Sequence, residues 1–308
     1  MKRLLEGVAY DPLVTMWIER SFLGMRMQGI CLVFLAAGSL LGQASLKRAE
    51  ELYQRTDYVG SLNLLREQTP RTGAVLCLEG QNYFMLGEYR KATDAFEKAF
   101  ALEPGQSEYA HWAGRAYGRR AETSNPLTAP GHASKARQYF EKAVALDPNN
   151  EEALNDLFDY YLEAPGFLGG GYDKAEQVAQ RIAALNEAEG FFARAQLADR
   201  RKQFDTAEKQ LRRAMELAPR QVGRVVDLAR YLARHGRIQE SEAAFDRAER
   251  LDPKSPKVKF ARARVYVEQK RNLDKAKELL HEYLQSDLTP DDPPREQAEK
   301  LLRQVSGA

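Results

Sequence analysis

No spacing of reactive side chains in this chain makes a catalytic or metal-binding set. His111, His132, His235 and His281 stand at separations that match no metal-ligand pattern. No serine sits in a Gly-x-Ser-x-Gly turn, so the strained elbow of an acyl-transfer nucleophile is missing. Of the two cysteines, Cys31 lies in an apolar run. Cys77 lies between Leu76 and Leu78, the setting of a core thiol rather than of a nucleophile. Two cysteines exclude both a disulfide framework and a cysteine zinc cluster. Glu151 and Glu152 are paired carboxylates, but they stand at a helix start, where they face the positive end of the dipole. The run Gly169–Gly171 lacks a following Gly-Lys-Ser/Thr and a preceding strand, so it does not cradle a phosphate. Asp173 after it reads as an N-cap. The expectation is therefore no catalytic residue, no cofactor, no metal and no enzyme.

The bulk properties point the same way. The 308 residues are 44% hydrophobic and 29% charged, the balance of a folded chain. Lys plus Arg number 46 and Asp plus Glu 44, a net charge of +2. Nucleic-acid binding driven by bulk charge needs a clear basic excess, and none is present.

The N-terminus has a different logic. Ile30–Leu41 is a run of twelve mostly apolar residues preceded by Arg26. A spanning helix needs about 20, whereas the apolar core of an export signal needs about 7–15. Gly42-Gln43-Ala44 follows with small residues where a signal peptidase reads, which predicts cleavage before Ser45. Cys31 is misplaced for lipid attachment. We read 1–44 as a signal peptide, with translation starting at Met25 or Met27. An N-terminal peptide mapping upstream of Met25 would refute that start. A retained N-terminal membrane anchor is the alternative. Removal of 1–44 leaves 42 basic and 41 acidic residues, and one cysteine that cannot pair within the chain. Such a chain tolerates an oxidising compartment. The expected location is exported, periplasmic or secreted.

Beyond residue 44 the chain repeats. AFEKAFALEP, YFEKAVALDP, QLRRAMELAP and AFDRAERLDP end at Pro104, Pro148, Pro219 and Pro253, spaced 44, 71 and 34 residues apart. One 34-residue unit explains the series, once with ten residues inserted and once with an intervening unit of 37 that lacks the proline. Within 73–106, Leu76, Gly80 and Tyr83 share one helix face. Gly87-Glu88-Tyr89 turns the chain, Ala92, Phe96 and Ala99 line a second helix, and Pro104 ends it. Small residues let the two helices approach, and the rings fill the space towards the next pair. One pair cannot bury its apolar face alone, so pairs must stack.

This pattern resembles the tetratricopeptide repeat family. Its positions recur at Gly114, Tyr117, Ala136, Phe140, Ala143 and Pro148, then at Ala195, Ala207, Leu211, Ala214 and Pro219, then at Ala229, Leu232, Phe245, Ala248 and Pro253. A helical-pair repeat of the Sel1 type is the alternative. The units run at about 45–72, 73–106, 107–150, 151–187, 188–221, 222–255 and 256–289, with a polar capping helix over 293–305. The resemblance implies an all-α fold, a right-handed α-solenoid of antiparallel helix pairs with a C-terminal cap.

Two insertions depart from the unit. Thr123–His132 and Glu163–Tyr172 carry Pro, Gly and Ser and read as loops. The second holds Phe167 and Leu168, and it resembles a loop of some bacterial exported proteins of this family. Both loops read as tolerated insertions. The functional alternative is a lip over a ligand.

The resemblance also implies which side chains face the concave groove. They are His111, Arg115 and Arg119 with Glu108; Asn155 and Asp159 with Glu163; Phe192 and Gln196 with Asp199 and Arg200; Arg230 and Arg234 with Val226; and Phe260 and Arg264. Guanidinium forks bind carboxylates bidentately, so an acidic or C-terminal peptide segment is the expected ligand. The Lys–Asn–Asn–Lys–Arg clamp that reads chaperone tails in this family is absent, because Cys77, Gln81, Glu108 and Trp112 stand in its places. The expected function is a protein- or peptide-binding scaffold of the cell envelope. The alternatives are a structural subunit of an envelope complex, or an accessory protein to a cell-wall or polysaccharide enzyme or transporter.

Overall fold

The computed structural model describes residues 43–307, and all its regular structure is helical. Ile30–Leu41, Cys31 and the starts at Met25 or Met27 lie outside the described residues. The helix pairs, in chain order, are α1 (43–54) with α2 (Tyr58–Arg66), α3 (Gly73–Met85) with α4 (Tyr89–Leu102), and α5 (Ser107–Thr123) with α6 (Ala129–Leu146). Next come α7 (Glu151–Glu163) with α8 (Tyr172–Leu185), and α9 (Glu187–Arg200) with α10 (Phe204–Leu217). The last pairs are α11 (Val222–Arg234) with α12 (Ile238–Leu251), and α13 (Pro256–Glu268) with α14 (Leu273–Gln285), followed by α15 (Arg295–Ser306). The predicted cleavage point before Ser45 falls within the first described turn of α1.

Five of the seven turns inside the pairs share one backbone device. Thr56, Gly87, Lys202, Gly236 and Lys270 all have positive φ, between 51° and 75°. The next amide donates back to a carbonyl five residues earlier: Asp57 to Leu52, Glu88 to Tyr83, Gln203 to Ala198, Arg237 to Leu232 and Arg271 to Tyr266. This satisfies carbonyls that the helix end leaves unpaired and sends the chain back antiparallel.

Packing within a pair is set by residue size. A methyl added at Gly80 would lie 2.6 Å from the Phe96 ring, and one at Gly114 would lie 2.5 Å from the Phe140 ring. Phe96 and Phe140 are buried, as are Ala92, Ala99, Ala136 and Ala143. The apolar clusters run the length of the solenoid, each drawing residues from adjoining helices, so there is no single central core. At its end, Ala298 of α15 packs over α14 residues such as Leu280 and Tyr283, with Leu301 and Leu302 beside it.

The first insertion differs from the expectation. Only 124–128 lies outside helix, and the added residues lengthen α5 to 17 and α6 to 18 residues. Pro130 falls in the first turn of α6, where its missing N–H is not needed. The second insertion is a loop, closed by a short 3-10 turn at Gly166–Leu168. Its glycines have structural work. Gly169 has φ +88°, and any side chain at Gly170 would collide with the Ala164 carbonyl. Tyr160 Oη donates to the Leu168 carbonyl at 2.9 Å and Lys174 Nζ to that of Gly169 at 2.9 Å, pinning the loop. The N-cap of α8 is Gly171, not Asp173; Asp173 sits in the first turn, where its charge faces the dipole.

Candidate ligand-binding concave face

The first helices of the pairs stand side by side and are tied by polar side-chain contacts between units. His111 Nε2 of α5 lies 2.7 Å from Asp156 of α7, Arg224 of α11 lies 3.6 Å from Glu189 of α9, and Arg234 lies 3.3 Å from Asp199. The solenoid curls far enough that segment 290–300 faces the N-terminal pairs. Between them lies a cavity of about 1560 Å³, lined by α1, α3, α5 and α7 on one side and by Pro290–Lys300 on the other.

Aromatic rings form part of its floor. Phe84 meets Trp112 edge to face at 5.5 Å and Tyr89 at 5.5 Å, and Trp112 stacks on buried Phe96 at 5.8 Å. The Arg115 guanidinium sits 4.3 Å over Trp112 and 5.4 Å over Phe84, with its Nε 3.7 Å from Asp156. Arg119 pairs with Glu122 and donates to Tyr89 Oη at 3.2 Å. Asn155 also lines the cavity. Cys77 is a free thiol, and burial pushes it well above its usual range, which suits packing rather than nucleophilic attack.

One expected groove contact is corrected. His111 does line the cavity, but it is only 2% exposed, packed by Trp112 and Phe140 and held by Asp156, so it chiefly ties α5 to α7. Phe260 is buried against Tyr283, with ring centres 5.1 Å apart. Its helix turns that position into the core rather than the groove. Phe192 is half-buried beneath the Arg224 guanidinium at 4.0 Å, so the apolar spot expected there is covered.

Asp159, Gln196, Arg230, Arg234 and Arg264 do not line the N-terminal cavity. Arg230, Arg234 and Arg264 instead gather on the neighbouring helices α11 and α13. Arg234 is tied to Asp199 and Arg264 to Glu268 at 2.7 Å, while Arg230 has no ion pair among the described residues. The protein around it and the Arg264 and Arg234 guanidiniums lower its pKa, with Asp227 opposing, but its exposed side chain stays charged. Gln196 is half-buried on α9. The Asp159 carboxyl is pushed up to about 7, first because protein surrounds it and then because Asp156 and Glu163 repel its charge. Its side chain is nonetheless open to groove water, which damps the size of that shift and leaves its direction. In the inserted loop Phe167 is 82% exposed and Leu168 is half-buried.

Sequence reasoning missed two parts of this site. One is the aromatic floor, although Cys77, Gln81, Glu108 and Trp112, which stand in the places of the absent clamp, all line the cavity. The other is the wall at Pro290–Lys300. Its local signal, Thr-Pro-Asp-Asp-Pro-Pro, reads as a linker, and only the curvature of the whole array brings it round.

Among the described residues no cluster of three or more His, Cys, Asp or Glu is placed to hold a metal ion, and no helix is long and apolar enough to cross a membrane.

Comparison with known proteins agrees with this geometry. Family models of the tetratricopeptide repeat match residues 73–106 and 131–150. No curated protein matches the chain in sequence. A tetratricopeptide repeat protein from Parabacteroides merdae superposes with a TM-score of 0.57 at 16% identity, covering 86% of this chain and 98% of that one. The thermophilic protein TTC0263 of Thermus thermophilus gives 0.52 at 22% identity, covering 62% of this chain and 98% of that one. A human IFIT1 dimer with PPP-AAAA gives 0.50 at 18% identity, over 79% of this chain and 54% of that one. At these identities the likeness concerns the fold. The chain carries tetratricopeptide repeats, and its described part folds as the α-solenoid that such repeats build.

Proposed function

We propose that the chain is a non-catalytic scaffold of the cell envelope that holds a protein or peptide segment on its concave face. The observation that carries this reading is the gathering of Arg230, Arg234 and Arg264 on α11 and α13, with Arg230 left unpaired. A free guanidinium on a rigid helical surface is a preorganised anchor for a carboxylate, so binding orders little of the protein. This favours a ligand segment with acidic side chains or a free C-terminus. The envelope location rests on the Arg26 and Ile30–Ala44 signal pattern.

The test is affinity capture from an envelope extract with the chain from Ser45 onward, beside an Arg230→Glu/Arg264→Glu variant. A partner held by the first and lost by the second supports the reading. A partner held equally by both moves binding to the loops, the ends or the convex face, which is the behaviour of an assembly subunit. Recovery of the protein only from the cytoplasmic fraction would refute the envelope assignment.

A further inference from the structure

We propose that the cavity between the N-terminal pairs and the returning C-terminal segment is a second recognition site, and that its occupant is a lysine- or arginine-rich segment of a partner protein. This deepens the scaffold reading and rests on it, but it uses different residues and the opposite charge. Two observations carry it, the size of the cavity and the charge of its walls.

The cavity, at about 1560 Å³, is larger than a typical small-molecule site of about 300–1,000 Å³. Its size suits several residues of an extended chain. The aromatic floor is filled from within the chain, with Arg115 over Trp112 and Phe84 and Phe96 stacked on Trp112, so the charge of an occupant must be met by the acids. Finally, the lining carries seven carboxylates against four basic side chains. Much of the positive charge is spent internally, since Arg115 leans on Asp156 and Arg119 on Glu122. Glu50, Asp291 and Glu296 make no ion pair among the described residues, and Glu108 meets only the Gln81 amide at 3.4 Å. These acids come from both walls, so a cationic chain laid between them would neutralise both and an acidic chain would be repelled by both. Lys257 and Lys300, which also line the cavity, leave the excess negative.

The test measures binding of three labelled peptides of equal length, one Lys/Arg-rich, one Asp/Glu-rich and one neutral, to the full-length chain. The Lys/Arg-rich peptide is expected to bind best and to weaken as salt rises. Glu108→Lys and Asp291→Lys, one on each wall and both exposed, should each weaken it by about tenfold, the scale of removing and reversing a close charge. Glu216→Lys, outside the cavity lining, should leave it unchanged, and circular dichroism should show all three variants folded. Arg230→Glu should also leave it unchanged, which separates this site from the arginine face. Equal loss with Glu216→Lys would mean diffuse attraction and overturn the proposal, as would tighter binding of the Asp/Glu-rich peptide or indifference to both wall variants. If the arginine-dependent partner is captured while the cationic peptide fails to bind, this inference falls and the scaffold reading stands.

Discussion

At the scale of single residues, the turns carry strain that glycine would remove. Lys202 and Lys270 hold left-handed backbone at φ 60° and 51°, in the role that Gly87 and Gly236 fill elsewhere. A non-glycine residue there costs on the order of 1 kcal/mol, partly offset by its smaller unfolded-state freedom. Lys202→Gly is therefore expected to raise the stability of its pair by about 0.5 kcal/mol. Chemical denaturation reads this directly, and a fall in midpoint would show that the lysine side chain does something the turn needs. Asp159 gives a pH-dependent case. Its folded pKa is raised from 3.8 to about 7, so the folded state holds the proton more tightly. Stability is then greatest below the unfolded value and declines as pH rises between the two. Asp159→Asn removes the repelling charge. It should match the parent near pH 4 and exceed it at pH 8, by about 1 kcal/mol once solvent screening of an open side chain is allowed for. Equal stability of the two at pH 8 would place Asp159 outside the acidic cluster.

At the scale of the element, close approach between helices decides more than helix propensity does. Gly190 of α9 faces Ala183 of α8 so closely that an added methyl would meet backbone as well as side chain. Gly114 faces the buried Phe140 ring. Overpacking costs about 1–3 kcal/mol, and a backbone clash has less room to relax than a ring. Gly190→Ala should therefore destabilise more than Gly114→Ala, in thermal melts of the two variants beside the parent. The reverse order would mean that α8 and α9 separate cheaply. The Gly80–Phe96 and Gly114–Phe140 contacts were legible in the sequence, because the ring follows the small residue by 16 positions, and by 26 where ten residues are inserted. Gly190 was not, because it stands outside that offset and owes its place to the tight join between units. The first insertion was misread for a related reason. Thr-Ser-Asn-Pro-Leu-Thr-Ala-Pro-Gly-His has loop composition, yet Pro130 and Gly131 fit the opening turn of α6, and burial of Ala136 and Phe140 downstream favours the longer helix.

At the scale of the whole molecule, what the sequence could not disclose is curvature. The helix pairs and even the terminal cap follow from local periodicity. The meeting of Pro290–Lys300 with α1 and α3 is the accumulated result of small rotations between pairs, and no local motif encodes it. Hence Arg115 and Arg230, both read as groove residues, belong to separate surfaces of opposite character. The same quasi-linear construction makes stability local, since each pair leans on its neighbours. Ala298 in α15 is fully buried over α14. Ala298→Asp places an unpaired charge in that contact, at a cost of about 3 kcal/mol or more. The cap should loosen first, and hydrogen exchange should rise across α13, α14 and α15 while α5 to α8 keep their protection. Because Pro290–Lys300 is a wall of the N-terminal cavity, the same variant should weaken the cationic peptide although it touches none of the cavity's acids on α1, α5 or α7. A uniform rise in exchange along the chain would show a single cooperative body. A local rise with peptide binding intact would show that the N-terminal pairs hold the ligand without the C-terminal wall.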